Sequence, residues 1–240
     1  MSVKFDILTL FPEMIEGIVS SSILKRAIEK QIIEINIINF RNYSTHKHLT
    51  VDDYAYGGGA GMLISVEPIH LAMKDIADFE NAYKILTSPS GVLLNQKKVE
   101  TLRKYNHFII ICGHYEGIDA RILEYVDEEI SIGDYVLTGG EIPACALVDA
   151  ISRLIPGVIS DESTSGESFT MGLLEYPQYT IYDNKKVPEI LLSGHHANIE
   201  KWKRYQALKK TYKQRPDLLE KYTLSQQDIK MLEEIKNEKN

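Results

Sequence analysis

The feature that most constrains the fold is an unbroken apolar run of strand length, Phe108-Ile-Ile-Ile-Cys112, which empties directly into Gly113. Such a run, bounded by turn residues, reads as a buried strand. Similar segments recur on both sides of it. Val3 to Leu10 partly alternates and reads as a strand, and Pro12 then opens a helix at its first turn, with helical spacing from Glu13 to Lys30. Ile32 to Phe40 is β-branched, with Ile33, Ile35 and Ile37 on one face, and reads as a strand. After a polar stretch from Arg41 to Met62, the patterns give a helix over 66–79, a short strand over 84–87, a helix over 95–104 and a strand over 107–112. A helix over 120–126, a strand over 129–132 and an apolar helix over 143–154, stopped by Pro156-Gly157, follow. Strands that alternate with helices through residue 156 predict an α/β layered domain with a mainly parallel sheet. Gly157 to Asp183 is rich in Ser, Thr, Gly and acids and reads as a linker or mobile loop. From Glu189 onward the pattern is helical, broken by Pro216.

Three loops carry the functional signal: Ser88-Pro-Ser-Gly91, Gly113-His-Tyr-Glu-Gly117, and the segment from Ser131 to Pro143. Glycine allows a sharp turn or a close backbone approach where a side chain would clash. Ligands of open parallel sheets bind outside the carboxyl ends of strands. The three loops therefore predict one small-molecule pocket built largely from main chain. A tight chain reversal needed by the fold explains the glycines of 131–143 equally well, and the two roles can coincide. The cluster Gly57-Gly-Gly-Ala-Gly61 lies in a polar loop, where a plain connection is the simpler reading. Neither G-x-x-x-x-G-K-[ST] nor a helix-opening G-x-G-x-x-G is present, which weakens kinase, GTPase and dinucleotide readings.

Other residues weigh less in isolation. A net charge of -7 argues against a uniformly basic nucleic-acid binder. Yet residues 200–215 hold seven Lys or Arg against one acid, which charge alone reads as a solvated helix face. Arg153 reads as a helix C-terminal cation facing the macrodipole, and Glu167 as an exposed acid in the linker. His46 and His48 beside Asp52 and Asp53 meet no standard metal spacing, nor do Cys112 and Cys145. Cys112 reads as a buried thiol. The absence of a signal peptide or membrane-length apolar run points to a reducing cytoplasm and to no membrane partner.

Taken together, the segments resemble the bacterial tRNA (guanine-N1)-methyltransferases of the SPOUT superfamily. The resemblance rests on Leu10-Phe-Pro-Glu-Met14, Thr50-Val-Asp-Asp53, Tyr56-Gly-Gly-Gly59 with Gly61-Met62, Ser88-Pro89, Cys112-Gly113 and Tyr115-Glu-Gly-Ile-Asp119. It continues through Ser131-Ile-Gly-Asp-Tyr-Val-Leu137, Gly139-Gly-Glu141, Ile155-Pro-Gly-Val158, Gly172-Leu-Leu174, Leu191-Leu-Ser-Gly194 and His196-Ala197. Each is weak alone; their number and order make accident very unlikely.

The resemblance implies an α/β domain over 1–159 with a parallel sheet and a deep trefoil knot, a flexible linker over 160–175, and a small all-helical tRNA-binding domain over 176–240, in a cytoplasmic homodimer. It implies S-adenosylmethionine held by Leu86, Ser88, Pro89, Gly113, Tyr115, Gly117, Ser131, Ile132, Gly133, Tyr135, Leu137, Gly139, Gly140 and Pro143. The implied reaction is methyl transfer to N1 of the guanosine 3′ of the anticodon. Glu167 would be the base and Arg153 would stabilise O6. Glu167 stands where the family pattern has Asp, so Asp161 or Glu162 remains an alternative base. Ala60, His114 and Ile181 also depart from the pattern. Glu116, with Glu167, would help place Mg²⁺. Lys201, Lys203, Arg204, Lys209 and Lys210, beside Trp202, Tyr205 and Tyr212, would contact tRNA through phosphate neutralisation and stacking. The alternatives are a related enzyme with another RNA target and a non-catalytic RNA-binding relative.

Overall fold

The structure, a computed structural model, describes residues 2–59, 61–160, 167–169, 172–183 and 185–238. Two compact units divide the chain, residues 1–160 and 161–240.

The first unit is built on a five-stranded parallel sheet. Its strands are β1 (Val3–Thr9), β2 (Ile33–Asn39), β5 (Tyr83–Leu93), β6 (His107–Cys112) and β7 (Glu128–Ser131), in the order β2-β1-β6-β5-β7. Register aligns Ile37, Ile7, Ile110 and Ile85 in one row across four strands. The next row is Ile38, Leu8, Ile111 and Leu86. Successive side chains of a strand point to opposite faces, so the rows feed two separate cores. The first row packs against α1 (Pro12–Val19), α2 (Ser22–Glu29), α4 (Gln96–Leu102) and α5 (Glu141–Ser152). The second packs against α3 (Val66–Asp75) and the 3-10 turns at 40–43 and 120–125. Coverage of both faces is why these strands read as continuous apolar runs. Each fully buried Leu or Ile contributes about 1.5–3 kcal/mol.

Several local details differ from expectation. The helix expected over 13–30 is two helices, parted at Ser20-Ser21, with Ser22 at φ 50°. Serine side chains compete for backbone hydrogen bonds and favour such breaks. The 120–126 segment is a 3-10 turn, with the Asp119 side chain accepting from the Arg121 amide. A two-stranded ribbon pairs β3 (Asp52–Asp53), inside the polar stretch, with β4 (Leu63–Ile64), just after it, where no strand was expected. The short strand expected at 84–87 runs on to Leu93. Thr87 and Val92 both pair with Ile130, so residues 88–91 loop out of a continuing strand.

The second unit has α6 (Glu189–Leu192), α7 (His196–Gln214), α8 (Pro216–Glu220) and α9 (Gln226–Asn237). Its core joins Leu208, Met231, Leu232 and Ile235 to Leu173, which is 4% exposed within the stretch expected to be a linker. Ser225 and Asp228 form a reciprocal capping box at the start of α9. Asp228 also receives two bonds from Arg204, at 2.8 and 2.9 Å. Among the described residues, no helix is long and apolar enough to cross a membrane.

The Arg204 guanidinium, above all, holds the Asp228 carboxyl down at about 2, from an ordinary 3.8. The stability it contributes is therefore complete above about pH 4 and fades as pH falls through about 2. Asp228→Asn is expected to cost on the order of 3 kcal/mol at pH 7, measured by urea unfolding, with the difference from the parent protein vanishing near pH 2.

Candidate active site

A cavity of about 510 Å³ opens at the carboxyl ends of β6 and β7 and at the 88–91 excursion of β5, beside the N-terminus of α5. Every residue expected to hold the methyl donor lines it: Leu86, Ser88, Pro89, Gly113, Tyr115, Gly117, Ser131, Ile132, Gly133, Tyr135, Leu137, Gly139, Gly140 and Pro143. Residues spread over 58 sequence positions thus share one wall.

Each loop has a local reason for its path. The 88–91 excursion is closed by Ser88 and Ser90, whose hydroxyls lie 2.7 Å apart, and by a Ser90 hydroxyl bond to Glu129 at 3.2 Å. Gly91 brings the chain back onto β7. A Cβ there would lie 2.5 Å from the backbone carbon of Glu129 and the nitrogen of Ile130. The 113–117 turn places Tyr115 at φ 59° and Gly117 at φ 120°. Its far side is fastened to residues 62–64, with Glu116 N–H donating to Met62 O and Ile64 N–H to Gly117 O. The Glu116 side chain lies over Gly61, where a Cβ would meet its Cγ at 2.3 Å. The polar glycine loop, read as a plain connection, thus supplies a seat for the pocket turn. In the third loop the Ser131 hydroxyl donates to Gly133 O and accepts from Gly133 N–H.

Gly140 joins the loops. Its N–H donates to Gly113 O at 2.8 Å, and the Thr87 hydroxyl lies 3.0 Å from Ile111 O and 3.3 Å from Gly140 O. A Cβ on Gly140 would sit 2.1 Å from that hydroxyl and 2.9 Å from both Cys112 Cα and Gly113 N. Thr87 and Glu141 were missed from sequence as site residues. Thr87, which lines the cavity, directly precedes the Ser88-Pro89 motif, and Glu141, buried behind the wall, ends the Gly139-Gly-Glu141 motif; nothing in residue type marks either.

Of the remaining candidates, Glu116 also lines the cavity. Arg153 is the C-cap residue of α5 and is half-buried. In the second unit, Glu167 is half-buried at the start of a turn in which Ser168 accepts the Glu175 amide and Leu174 N–H donates to Thr211. Asp161, Glu162 and Ala60 lie outside the described residues. Of the basic set on α7, Arg204 is turned to Asp228 and the Tyr222 hydroxyl, Lys209 pairs with Glu238, and Lys203 pairs with Glu200 and lies over the Tyr176 ring. Lys201 is exposed and Lys210 half-buried.

Among the described residues, no group of three or more His, Cys, Asp or Glu side chains could hold a metal ion. Nothing among the described residues shows a Mg²⁺ site at Glu116, and no step is assigned to the metal. Cys112 and Cys145 are buried thiols, pushed well up in the first case and to about 11 in the second, by burial first and the nearby Glu141 next. Neither is poised as a nucleophile.

A doubly covered parallel sheet with a glycine-walled cavity at its carboxyl edge defines an α/β domain with room for a small-molecule ligand. Residues 3–221 match the family model described as tRNA (Guanine-1)-methyltransferase TrmD. Among curated relatives, a tRNA (guanine-N(1)-)-methyltransferase of Dictyoglomus turgidum is 54% identical, covering 98% of this chain and 97% of its own length. One of Staphylococcus epidermidis is 52% identical over 97% of each chain, and one of Mycoplasma capricolum 50% identical over 98% and 99%. The chain belongs to the tRNA (guanine-1)-methyltransferase family and is an enzyme of that class.

Gly140→Ala is expected to lower stability by about 1–3 kcal/mol, because its Cβ would meet the buried Thr87 hydroxyl and the backbone of Cys112 and Gly113. Gly17→Ala, in an exposed helix position with open space around it, is expected to be neutral or stabilising by up to about 1 kcal/mol. Paired denaturation curves of the two variants check both outcomes.

Proposed function

We propose that this protein transfers a methyl group from S-adenosylmethionine to N1 of guanosine 37, just 3′ of the anticodon, in tRNA. The observation that carries this reading is the convergence of all the implied donor-binding residues on one cavity, in a chain of the guanine-N1 methyltransferase family. The cavity's size lies within the usual range for ligands of this kind, about 300–1,000 Å³. Its wall suits the donor. Leu86, Ile130, Pro89 and Pro143 offer apolar surface for a flat ring, and the loop peptides offer donors and acceptors for a polar amino-acid portion.

Bound S-adenosylmethionine supplies an electrophilic methyl on a sulfonium. The chain must supply the rest. Guanine N1 carries a proton near neutral pH, so a base has to remove it. Glu167 is assigned that role. Arg153 is assigned to O6, where the negative charge left by deprotonation spreads. Glu167 reaches one methylene further than Asp would. Misplacement by about 1 Å can cost roughly a hundredfold in rate, so the backbone carrying Glu167 must compensate for the longer arm. Glu167 belongs to a segment fastened to α7 through Leu174 and Thr211, which gives that backbone a defined anchor.

The same reading includes a deep trefoil knot in the first domain, over 1–159, a linker over 160–175, and a tRNA-binding helical domain over 176–240. It also includes a homodimer acting in the cytoplasm. On α7, Lys201 and Lys210 are the cations of the expected set most available for phosphate, since Lys203, Arg204 and Lys209 already hold partners in the protein.

Purified protein incubated with labelled S-adenosylmethionine and an unmodified tRNA transcript carrying guanosine 37 is expected to give 1-methylguanosine at that position by mass spectrometry. Glu167→Gln is expected to lower kcat by about a hundredfold or more, and Glu167→Asp to retain activity. No transfer by the parent protein, or full activity of Glu167→Gln, would overturn the respective assignment.

A further inference from the structure

Glu141 opens α5 directly after Gly140 and is 1% exposed. A carboxylate so deeply buried needs hydrogen-bond partners for both oxygens, because an unsatisfied buried polar group is costly. Oε1 has one, the Thr9 hydroxyl, which donates at 2.7 Å. That hydroxyl also accepts the Phe11 amide at 2.9 Å, tying Glu141 to the turn between β1 and α1. Oε2 has no partner among the described residues.

The surroundings of Oε2 show what is meant to reach it. A Cβ on Gly139 would sit 2.3 Å from Oε2, 2.7 Å from His114 Cδ2 and 3.3 Å from His114 Nε2. The carboxylate oxygen and one edge of the imidazole thus border the same small space, left open by a missing side chain. The His114 ring is held by Phe11, with centroids 4.6 Å apart, and by Tyr115, edge-on at 5.4 Å. The Tyr115 amide donates to His114 Nδ1 at 2.9 Å. A neutral imidazole that accepts at Nδ1 carries its hydrogen on Nε2. The ring's one remaining donor therefore lies on the edge beside Gly139 and Glu141.

We propose that Glu141 is a positioning residue of the donor site: when the cavity is occupied, its Oε2 accepts the His114 Nε2–H, and this bond locks the 113–117 turn against Gly139-Gly140. The inference rests on the reading of the cavity as the S-adenosylmethionine site. His114, Gly139 and Gly140 line that cavity, whereas Glu141 stands behind them and touches no ligand. The turn is a natural element to lock. Tyr115 holds a left-handed backbone, which costs on the order of 1–3 kcal/mol for a residue with a side chain. A ligand that favours the paired arrangement shifts the turn toward it by its differential affinity. Because Thr9 ends β1, Glu141 opens α5 and His114 lies in the turn that follows β6, the lock joins the back of the pocket to the sheet.

The test is a double-mutant cycle with Glu141→Gln and His114→Phe. The amide keeps an oxygen for Thr9 but turns an NH₂ toward His114. Phenylalanine keeps the ring against Phe11 and removes the donor. Each variant is expected to raise the Kd for S-adenosylmethionine in calorimetry about tenfold, as loss of a hydrogen bond to a charged group does. The double variant is expected to be no weaker than either single one. The loss should fall on KM for the donor rather than on kcat. In the unmodified protein, the His114 Nε2–H resonance should become protected and shift downfield on addition of S-adenosylmethionine, a measurement independent of how any variant folds. Independent, multiplying losses in the cycle, or an unchanged Nε2–H resonance in protein that does bind the donor, overturn this inference alone. No binding by the unmodified protein overturns the donor-site reading and this inference with it.

Discussion

Burial of the central strand β6 on both faces is the constraint on which the rest of the first unit depends. Its six residues are all buried, and the rows containing Ile110 and Ile111 feed opposite cores. A sheet covered in this way offers a ligand only its strand ends. The polar groups freed where strands stop must then be satisfied by loops or by a bound molecule. The cavity lies where β5 bulges at 88–91, where the chain leaves β6, and where α5 begins. Site and scaffold are therefore one problem: what stabilises the sheet also presents main-chain groups to the pocket.

The glycines show how closely these roles overlap. Read from sequence, the 131–143 loop admits either a ligand role or a fold role. Gly140 serves the fold by letting α5 begin against Gly113 and Thr87, and it lines the cavity as well. Gly91 is needed for the return onto β7. Gly61, in a cluster with no evident purpose in sequence, lies beneath Glu116. In each case the missing Cβ admits another part of the chain rather than open solvent. That is a tertiary fact, and spacing along the sequence does not contain it.

The second unit makes the same point with charge. Seven cations along 200–215 read from charge alone as a solvated helix face, and the family resemblance turns them toward phosphate. Arg204 instead satisfies Asp228, which in turn caps α9. The pairing needs α7 and α9 packed together, and it converts one element of a basic stripe into an internal support. Leu173, in a stretch that composition reads as linker, finds cover against Leu208 and Met231. Composition describes what a segment contains; it does not describe which apolar surface lies within reach.

The sequence by itself determined the α/β layering, the strands at 3–10, 32–40 and 107–112, and the three loops that meet at the pocket. Each of these follows from short-range patterning, apolar runs and glycine positions, that local physics can read. Tertiary structure alone decided that Thr9 would donate to Glu141 across 132 residues, that Thr87 would reach Gly140, and that the 88–91 segment would be an excursion from a longer strand. Those contacts depend on which strands become neighbours in the order β2-β1-β6-β5-β7. That order is set by burying two faces at once, a condition on the whole chain and not on any window of it.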